Sequence, residues 1–241
     1  MKHAGKIAIL VAVGGAVGMT LMLFGARLGL WAPLTGFGLY RAYFNPLSAI
    51  ITCSGLIAFI IHLVRKEKGG TIAGGMATLL GLAFLTPLIL GTLNPPLRSP
   101  PIHDISTDTL NPPAFEVLDE TRPGASNTLV YGGPELAEAQ AVAYPDIAPL
   151  EVDLSTDAAY QRALAVAKEM GWEIIVSDAA RRRFEATAHT PVFHFADDVV
   201  VVVTPREDGS HVDMRSVSRV GRSDQGVNAA RIRAFQQKFR D

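Results

Sequence analysis

Long apolar runs fill the first ninety or so residues, and beyond them the apolar positions recur at the short spacings of a folded, water-exposed domain. Ile7 to Phe24 contains no charge. At about 1.5 Å per helical residue against a hydrocarbon core of roughly 30 Å, it is long enough to cross a bilayer. Pro46 to Val64 and Thr71 to Leu90 are two further runs of that kind, with Pro87 near the end of the last, where neighbouring groups can satisfy the freed carbonyl. Between the first two, Gly25 to Asn45 mixes Trp31, Phe37, Tyr40, Tyr43 and Phe44 with glycine and proline, which predicts a loop at the headgroup level. Gly14 and Gly18 form a small-xxx-small pair that lets another helix approach, although glycine is common in membrane helices in any case. The pattern predicts a membrane domain over residues 1–98 with three transmembrane helices at about 7–24, 46–64 and 71–90, followed by an extramembrane domain over 99–241.

Asn94 to Pro101 reads NPPLRSPP, an extended linker by its proline content. An irregular stretch then runs to about Leu150. Its apolar residues Phe115, Val117, Leu129, Tyr131, Tyr144 and Ile147 are too many for a free tail, so it is expected to pack over one face of the sheet that follows. Ser155 or Thr156 caps a helix to Met170, with Tyr160, Ala163, Leu164 and Ala167 at helical spacing and Gly171 as its stop. Four strands follow: Trp172 to Ser177, Arg182 to Thr190, Asp198 to Thr204 and His211 to Val220. The five valines from Val199 to Val203 mark a central strand buried on both faces. A last helix runs from about Asp224 to Phe239. The predicted fold class is α+β: N-terminal transmembrane helices, then an antiparallel four-stranded sheet with two helices on one face.

Charge follows the same division. Residues 1–98 hold eight Lys or Arg and one acid, Glu67, whereas the rest holds fourteen basic and twenty-two acidic residues, so a net charge of −1 conceals a membrane part near +7 and a domain near −8. An acidic domain repels phosphate backbones, and nucleic acid is excluded as a partner. The only cysteine, Cys53, lies in an apolar run, which excludes intrachain disulfides and thiolate-rich metal sites. Five basic residues (Lys2, Lys6, Arg65, Lys66, Lys68) stand on one side of the predicted spans and three (Arg27, Arg41, Arg98) on the other. The positive-inside rule then places the N-terminus in the cytoplasm and, three crossings later, the domain in the periplasm of a double-membraned bacterium, the protein being multi-pass in the inner membrane. The first run also fits a secretory signal, with cleavage left open. His62, late in the second run, is read as an interfacial residue.

Polar chemistry is densest between His211 and Arg231, HVDMRSVSRVGRSDQGVNAAR. Strand alternation sends Asp213, Arg215, Val217 and Arg219 to one face, and Val212, Met214, Ser216 and Ser218 to the other. Arg215 and Arg219 either flank an anionic ligand such as a lipid headgroup or pair with acids such as Asp213, Asp197 or Asp198. Gly221 provides the turn, and Ser223 or Asp224 the helix cap. Asn228 shares a stripe with Ile232, Phe235 and Phe239, so its amide faces inward, either as a structural bracket with Arg231 or as a ligand contact. His103, Asp104 and Asp108 begin the domain beside the membrane, and His189, His194 and His211 lie on or near strands. The candidate ligand-binding set is His103, Asp104, Asp108, Asp198, Arg215, Ser218, Arg219, Asp224, Asn228 and Arg231. No HExxH, paired cysteines, nucleophile elbow or phosphate loop accompanies it, so no catalytic residue, metal or cofactor is expected.

IHDISTD (Ile102 to Asp108), NPPAF (Asn111 to Phe115), YGG with a following AxxQxxAYPDIxPL (Tyr131 to Leu150), FxDDVVVxV (Phe195 to Val203) and DMRSVSRVGRSDQGVNAARI (Asp213 to Ile232) stand in this order. In them the domain resembles the bacterial and plastid family known as domain of unknown function 1499, over about residue 100 to the end. Val202 departs from an arginine expected of the family there, which removes a charge from that strand. The resemblance implies an envelope location and no activity.

The expectation drawn from all of this is an inner-membrane protein whose domain binds a partner protein or an amphiphilic or anionic ligand, in contact with membrane lipids. The alternative is a membrane-tethered hydrolase or metal-dependent enzyme using His103, Asp104, Asp198, Arg215 and Asp224. Oligomeric state is not readable.

Overall fold

The computed structural model describes residues 3–95 and 99–241. Lys2 and Arg98, which enter the charge count, and residues 96–98 of the proline-rich linker lie outside the described residues. The chain forms two compact units, one of residues 1–97 with 191–194, the other of 98–190 with 195–241.

In the first unit, three helices are long and apolar enough to cross a membrane: α1 (Ala4–Phe24), α2 (Pro33–Val64) and α3 (Lys68–Leu93). The stretch read as an interfacial loop is helical from Pro33 onward, and Pro46 lies inside α2. Pro33 occupies the first helical position, where the missing N–H is no loss. Ala12, Met19, Phe44, Ile51, Ala58 and Ala77 form the buried core of the unit. Glycine lets the helices close up: a methyl group on Gly55 would strike the Thr78 backbone, and one on Gly74 would strike that of Phe59. Gly14 and Gly18 meet nothing within 4 Å.

His62 joins the ends of all three helices. It is buried, its Nε2 accepts the Gly5 N–H (3.0 Å), and its Nδ1 lies 2.5 Å from a Glu67 carboxylate oxygen. Since Nε2 accepts, Nδ1 carries the proton that Glu67 receives. The Gly5 donor is one of the N–H groups that the first turn of α1 leaves without an intrahelical partner.

The second unit is α+β, and its sheet is antiparallel. Among the described residues it contains six strands, not the expected four. The four long ones are β3 (Glu173–Asp178), β4 (Arg183–His189), β5 (Ala196–Arg206) and β6 (Gly209–Ser218). The additional two, β1 (Asp104–Ser106) and β2 (Leu150–Val152), have three residues each and so show no readable alternation. Both lie along the outer side of β6, β1 opposite residues 215–217 and β2 opposite 210–212, in the order β1-β6-β5-β4-β3.

One face of the sheet is apolar. Phe184, Ala186, Ala188, Val199, Val201, Val203, Val212 and Met214 build a core with Tyr160, Ala163 and Ala167 of α5 (Thr156–Glu169) and Ile232, Phe235 and Phe239 of α6 (Val227–Arg240). Ser155 caps α5 by accepting the Ala158 N–H. A further helix, α4 (Gly133–Ala143), contributes Leu136 and Ala139 to this core. The sequence reading left α4 within an irregular stretch, because its alanine-rich run shows little apolar contrast around the helix.

The opposite face carries the other half of the strand residues. Cross-strand pairing aligns Asp104, Val217, Asp198 and Thr187 in one row, and Ser106, Arg215, Val200 and Glu185 in the next. Val200 and Val217 are fully buried here although no helix core includes them. What buries them is the segment from Asp108 to Tyr131, bonded to this face as described next.

Candidate functional site

The polar side chains of the second unit form two networks, one on each face of the sheet. Beneath the covering segment, Glu185 is fully buried and accepts the backbone N–H groups of Glu116 (2.6 Å), Val117 (3.2 Å) and Leu118 (2.7 Å). Asp198, also fully buried, receives Arg122 Nε (2.6 Å), Arg219 Nη2 (2.8 Å) and the Thr187 hydroxyl (3.1 Å). Arg122 in turn donates to the carbonyls of Asp119 and Asn127, and Arg219 to that of Pro123. Asn127 donates to the carbonyls of Ser218 and Gly221.

Arg215 belongs to the same face, as does Arg183, which donates to Glu185 and to the Ala114 carbonyl. The Nε and Nη2 of Arg215 clasp Asp104 at 2.9 and 2.7 Å, and Nη2 and Nη1 donate to the carbonyls of Leu129 (2.8 Å) and Pro113 (3.3 Å). The guanidinium lies between the rings of Phe115 and Tyr131, at 5.5 and 5.2 Å from their centroids. Charge, hydrogen bonds and ring faces thus all tie the segment to the sheet.

On the helix face, Asp197 accepts Arg231 Nη2 at 2.5 Å. Arg231 Nη1 donates to Ser216 Oγ (3.0 Å) and to Asn228 Oδ1. Asn228 also receives the Ser216 hydroxyl (2.6 Å) and donates to Ser218 Oγ and the His103 carbonyl, each at 2.9 Å. Its amide is fully buried with every donor and acceptor engaged, which is the bracket geometry. Asp224 stands ahead of α6 and accepts the N–H groups of Gly226 (2.9 Å) and Asn228 (2.7 Å). The helix begins at Val227, later than expected, because Gly226 takes a left-handed conformation at its cap (φ 83°).

The predicted site residues are therefore divided. Asp104, Asp198, Arg215 and Arg219 belong to the covered face. Ser218, Asp224, Asn228 and Arg231 belong to the helix face, where His103 contributes its backbone carbonyl. Asp108 makes a local turn, accepting the N–H groups of Leu110 and Asn111. Arg219 pairs with Asp198, one of its expected partners, whereas Arg215 pairs with Asp104 from the far end of the domain. Of the five residues of the hydrolase alternative, Asp104 and Arg215 bind each other on the covered face, Asp198 binds Arg122 and Arg219 there, Asp224 holds the start of α6 on the other face, and His103 offers its backbone carbonyl to Asn228. Among the described residues, no group of three or more His, Cys, Asp or Glu side chains is placed to hold a metal ion.

Glu185 and Arg122 carry much of this chemistry and were not singled out in the sequence, and Asp197, named there as a partner for Arg215 or Arg219, pairs with Arg231 instead. Glu185 alternates with core residues on β4 and reads as solvent-facing. The available signal was that the same face of β5 and β6 brings Asp198 and Arg215 beside it.

Burial raises the Asp224 carboxyl above its ordinary range, against the pull of the two N–H groups it accepts, and burial likewise raises Asp213, which accepts the Thr107 hydroxyl. The Tyr131 hydroxyl is raised by burial. At the surface of the covering segment, Glu116 is lowered by its bonds from Arg181, Asp119 by the Thr121 hydroxyl, and Glu120 by the Leu129 N–H.

Two recesses open beside the segment. One, of about 460 Å³, lies between residues 117–123 and the β3–β4 edge and includes Ile175, Thr187, His189 and Arg219. The other, of about 400 Å³, lies over Arg215 and is walled by Phe115, Leu118, Leu129, Val130 and Tyr131.

The class these features define is a chain with three helices long and apolar enough to cross a membrane, joined to an α+β domain with a strapped, polar sheet face. The family model described as "Protein of unknown function (DUF1499)" matches residues 104–239, and the chain belongs to that family. None of the curated proteins compared with the chain matches it.

Proposed function

We propose that the chain is a three-span protein of the bacterial inner membrane, with its N-terminus in the cytoplasm and its α+β unit in the periplasm, where that unit binds a molecule of the envelope. The observation that supports binding is the use made of the covering segment. Arg122, Arg215, Arg219 and Glu185 together fix residues 113–127 to the sheet at many points, so the segment forms rigid walls for two recesses of 400–460 Å³. Recesses of this size suit small ligands, and pre-formed walls reduce the ordering cost of binding. The same arginines favour an uncharged or weakly charged ligand over a phosphate, since Asp104 and Asp198 already hold them.

The orientation is supported by the Lys and Arg asymmetry of the short loops. Two experiments test the reading. A reporter fused after Asp241 should be active only when it is a periplasmic type; activity confined to a cytoplasmic type would reverse the orientation. Native mass spectrometry of the gently solubilised full chain should reveal a bound small molecule or a stoichiometric partner. A bare chain, under conditions that preserve known membrane complexes, would remove the binding reading.

A further inference from the structure

We propose that the open edge of β3 takes up an extended peptide segment of a partner protein as a further strand, with an apolar side chain in the recess at Ile175 and a lysine or arginine beside Glu173. This inference rests on the binding reading above and names the partner of that recess.

The two ends of the sheet are finished differently. At the β1 end, the Gln140 amide of α4 covers Ser106, accepting its N–H (2.9 Å) and donating to its carbonyl (2.7 Å), as a neighbouring strand does. At the other end, among the described residues, no segment pairs with the outer side of β3. Edge strands commonly guard such a row of free backbone groups with lysine, proline or a covering element. β3 has neither lysine nor proline, and Glu173, Ile175 and Ser177 are exposed along it. Strand addition needs free backbone N–H and C=O groups with a pocket beside them for a side chain.

The recess beside β3 is that pocket. Pairing between β3 and β4 shifts between Ile174 and Val176, so Ile175 has no register partner on β4. A bulge of this kind re-aims a side chain. Ile175, 40 % exposed, lines the recess of about 460 Å³ together with Val117, Leu118 and Pro123. Of the charged groups on its walls, Arg122 and Arg219 are both held by Asp198, and Asp119 accepts the hydroxyl and N–H of Thr121. Glu173 lines the same recess, is exposed, and makes no hydrogen bond or ion pair among the described residues. An uncompensated carboxylate at one end of the strand favours a basic residue on the incoming segment. It also disfavours a second copy of this chain, because a two-fold pairing of β3 with itself brings each Glu173 toward the Asp178 of the other strand.

The test uses the full chain held in an amphipathic polymer and a fluorescent peptide, Lys-Thr-Val-Thr-Leu-Thr-Lys. The peptide is compared with an acidic form, glutamate replacing both lysines, and with a form methylated at its backbone nitrogens. Fluorescence anisotropy should show the basic form binding saturably and about fivefold more tightly than the acidic one, and the methylated form not binding. Hydrogen exchange should show the bound peptide protecting residues 173–178. Glu173→Lys, at an exposed position, should reverse the preference between the basic and acidic forms. Ile175→Asp should abolish binding, and unchanged melting temperatures should report an intact fold in both variants. No saturable binding of the basic form, equal binding of the methylated form, a basic preference that survives Glu173→Lys, or binding undiminished by Ile175→Asp would each overturn the proposal. A dimer that Ile175→Asp dissociates would also overturn it, by assigning the edge to a second copy. A co-purifying molecule that Ile175→Asp retains would overturn this site while leaving the broader binding reading in place; absence of any bound molecule or partner would remove that reading itself.

Discussion

Asp197 and Asp198 are adjacent in the chain and serve opposite faces of the sheet: Asp197 receives Arg231 from α6, and Asp198 receives Arg122 and Arg219 from the covered side. The two carboxylates are therefore the point at which helix, sheet and covering segment are fastened together. Their removal has unequal consequences, because Asp198 holds two guanidinium groups and Asp197 one. Asp198→Ala should cost about 3–5 kcal/mol in urea unfolding of the α+β unit, as an uncompensated buried charge does, and Asp197→Ala less. Equal costs would show that Arg122 and Arg219 find other acceptors.

Glu185 binds three successive backbone N–H groups at Glu116, Val117 and Leu118. Glutamine keeps the shape but offers one oxygen and an amide that confronts those donors. Glu185→Gln should destabilise the unit by roughly 2–3 kcal/mol and open the covering segment to limited proteolysis between residues 113 and 131. A variant cut no faster than the wild type would show that the arginines alone retain the segment.

The Arg215–Asp104 pair gives a sign test. Arg215→Met leaves the Asp104 carboxylate, 4 % exposed, without its partner, and should cost about 3–5 kcal/mol. Adding Asp104→Leu should restore part of that loss, because an apolar pair avoids the desolvation of two ions. Denaturant melts of the single and double variants decide it. A double variant less stable than the single one would mean that Asp104 is held by more than the arginine.

Stability near Asp213 should depend on pH. Its carboxyl is raised by burial, so the folded state binds its proton more tightly than the unfolded state does. The contribution is fully present below the ordinary carboxylate range and is lost as pH rises through the elevated folded value. Asp213→Asn keeps an oxygen for the Thr107 hydroxyl and cannot ionise. Its advantage over the wild type should therefore be smallest near pH 3.5–4 and grow toward neutrality, as read from melts across the pH range. A constant difference would show that the charge of Asp213 has no bearing on stability.

In the three-helix unit, His62 receives the Gly5 N–H, donates to Glu67 and fills the space against Gly70. His62→Leu removes both bonds and should lower the stability of the three-helix unit by about 1–3 kcal/mol in detergent. Gly70→Ala, which drives a methyl group into the imidazole, should do similar harm through overpacking.

The long elements were legible because their periodicity is strong. The helix read from Ser155 or Thr156 to Met170 spans Thr156–Glu169, and the valine run from Val199 to Val203 is buried on both faces except at the half-buried Val202. The short strands were not legible, since three residues carry no period and β1 and β2 exist only through their pairing with β6. Arg215 and Arg219 were placed on one face by alternation alone, but Asp104 reaches Arg215, Arg122 reaches Asp198, and Glu185 reaches the backbone of residues 116–118, each across a long sequence separation that no local pattern encodes. Gly25 to Asn45 misled for a different reason: aromatic, glycine and proline content resembles a loop, whereas packing against the other helices makes most of it helical.

Arg215 and Asp104 stand 111 residues apart in sequence. During synthesis β1 is the first strand made and must wait, unpaired, until β6 has been made to complete it. Such non-local closure is slow. The C-terminal stretch is thus the clasp of the domain: a truncation within β6 leaves an open sheet edge, and one within α6 bares the apolar face, each a natural substrate for quality-control proteases.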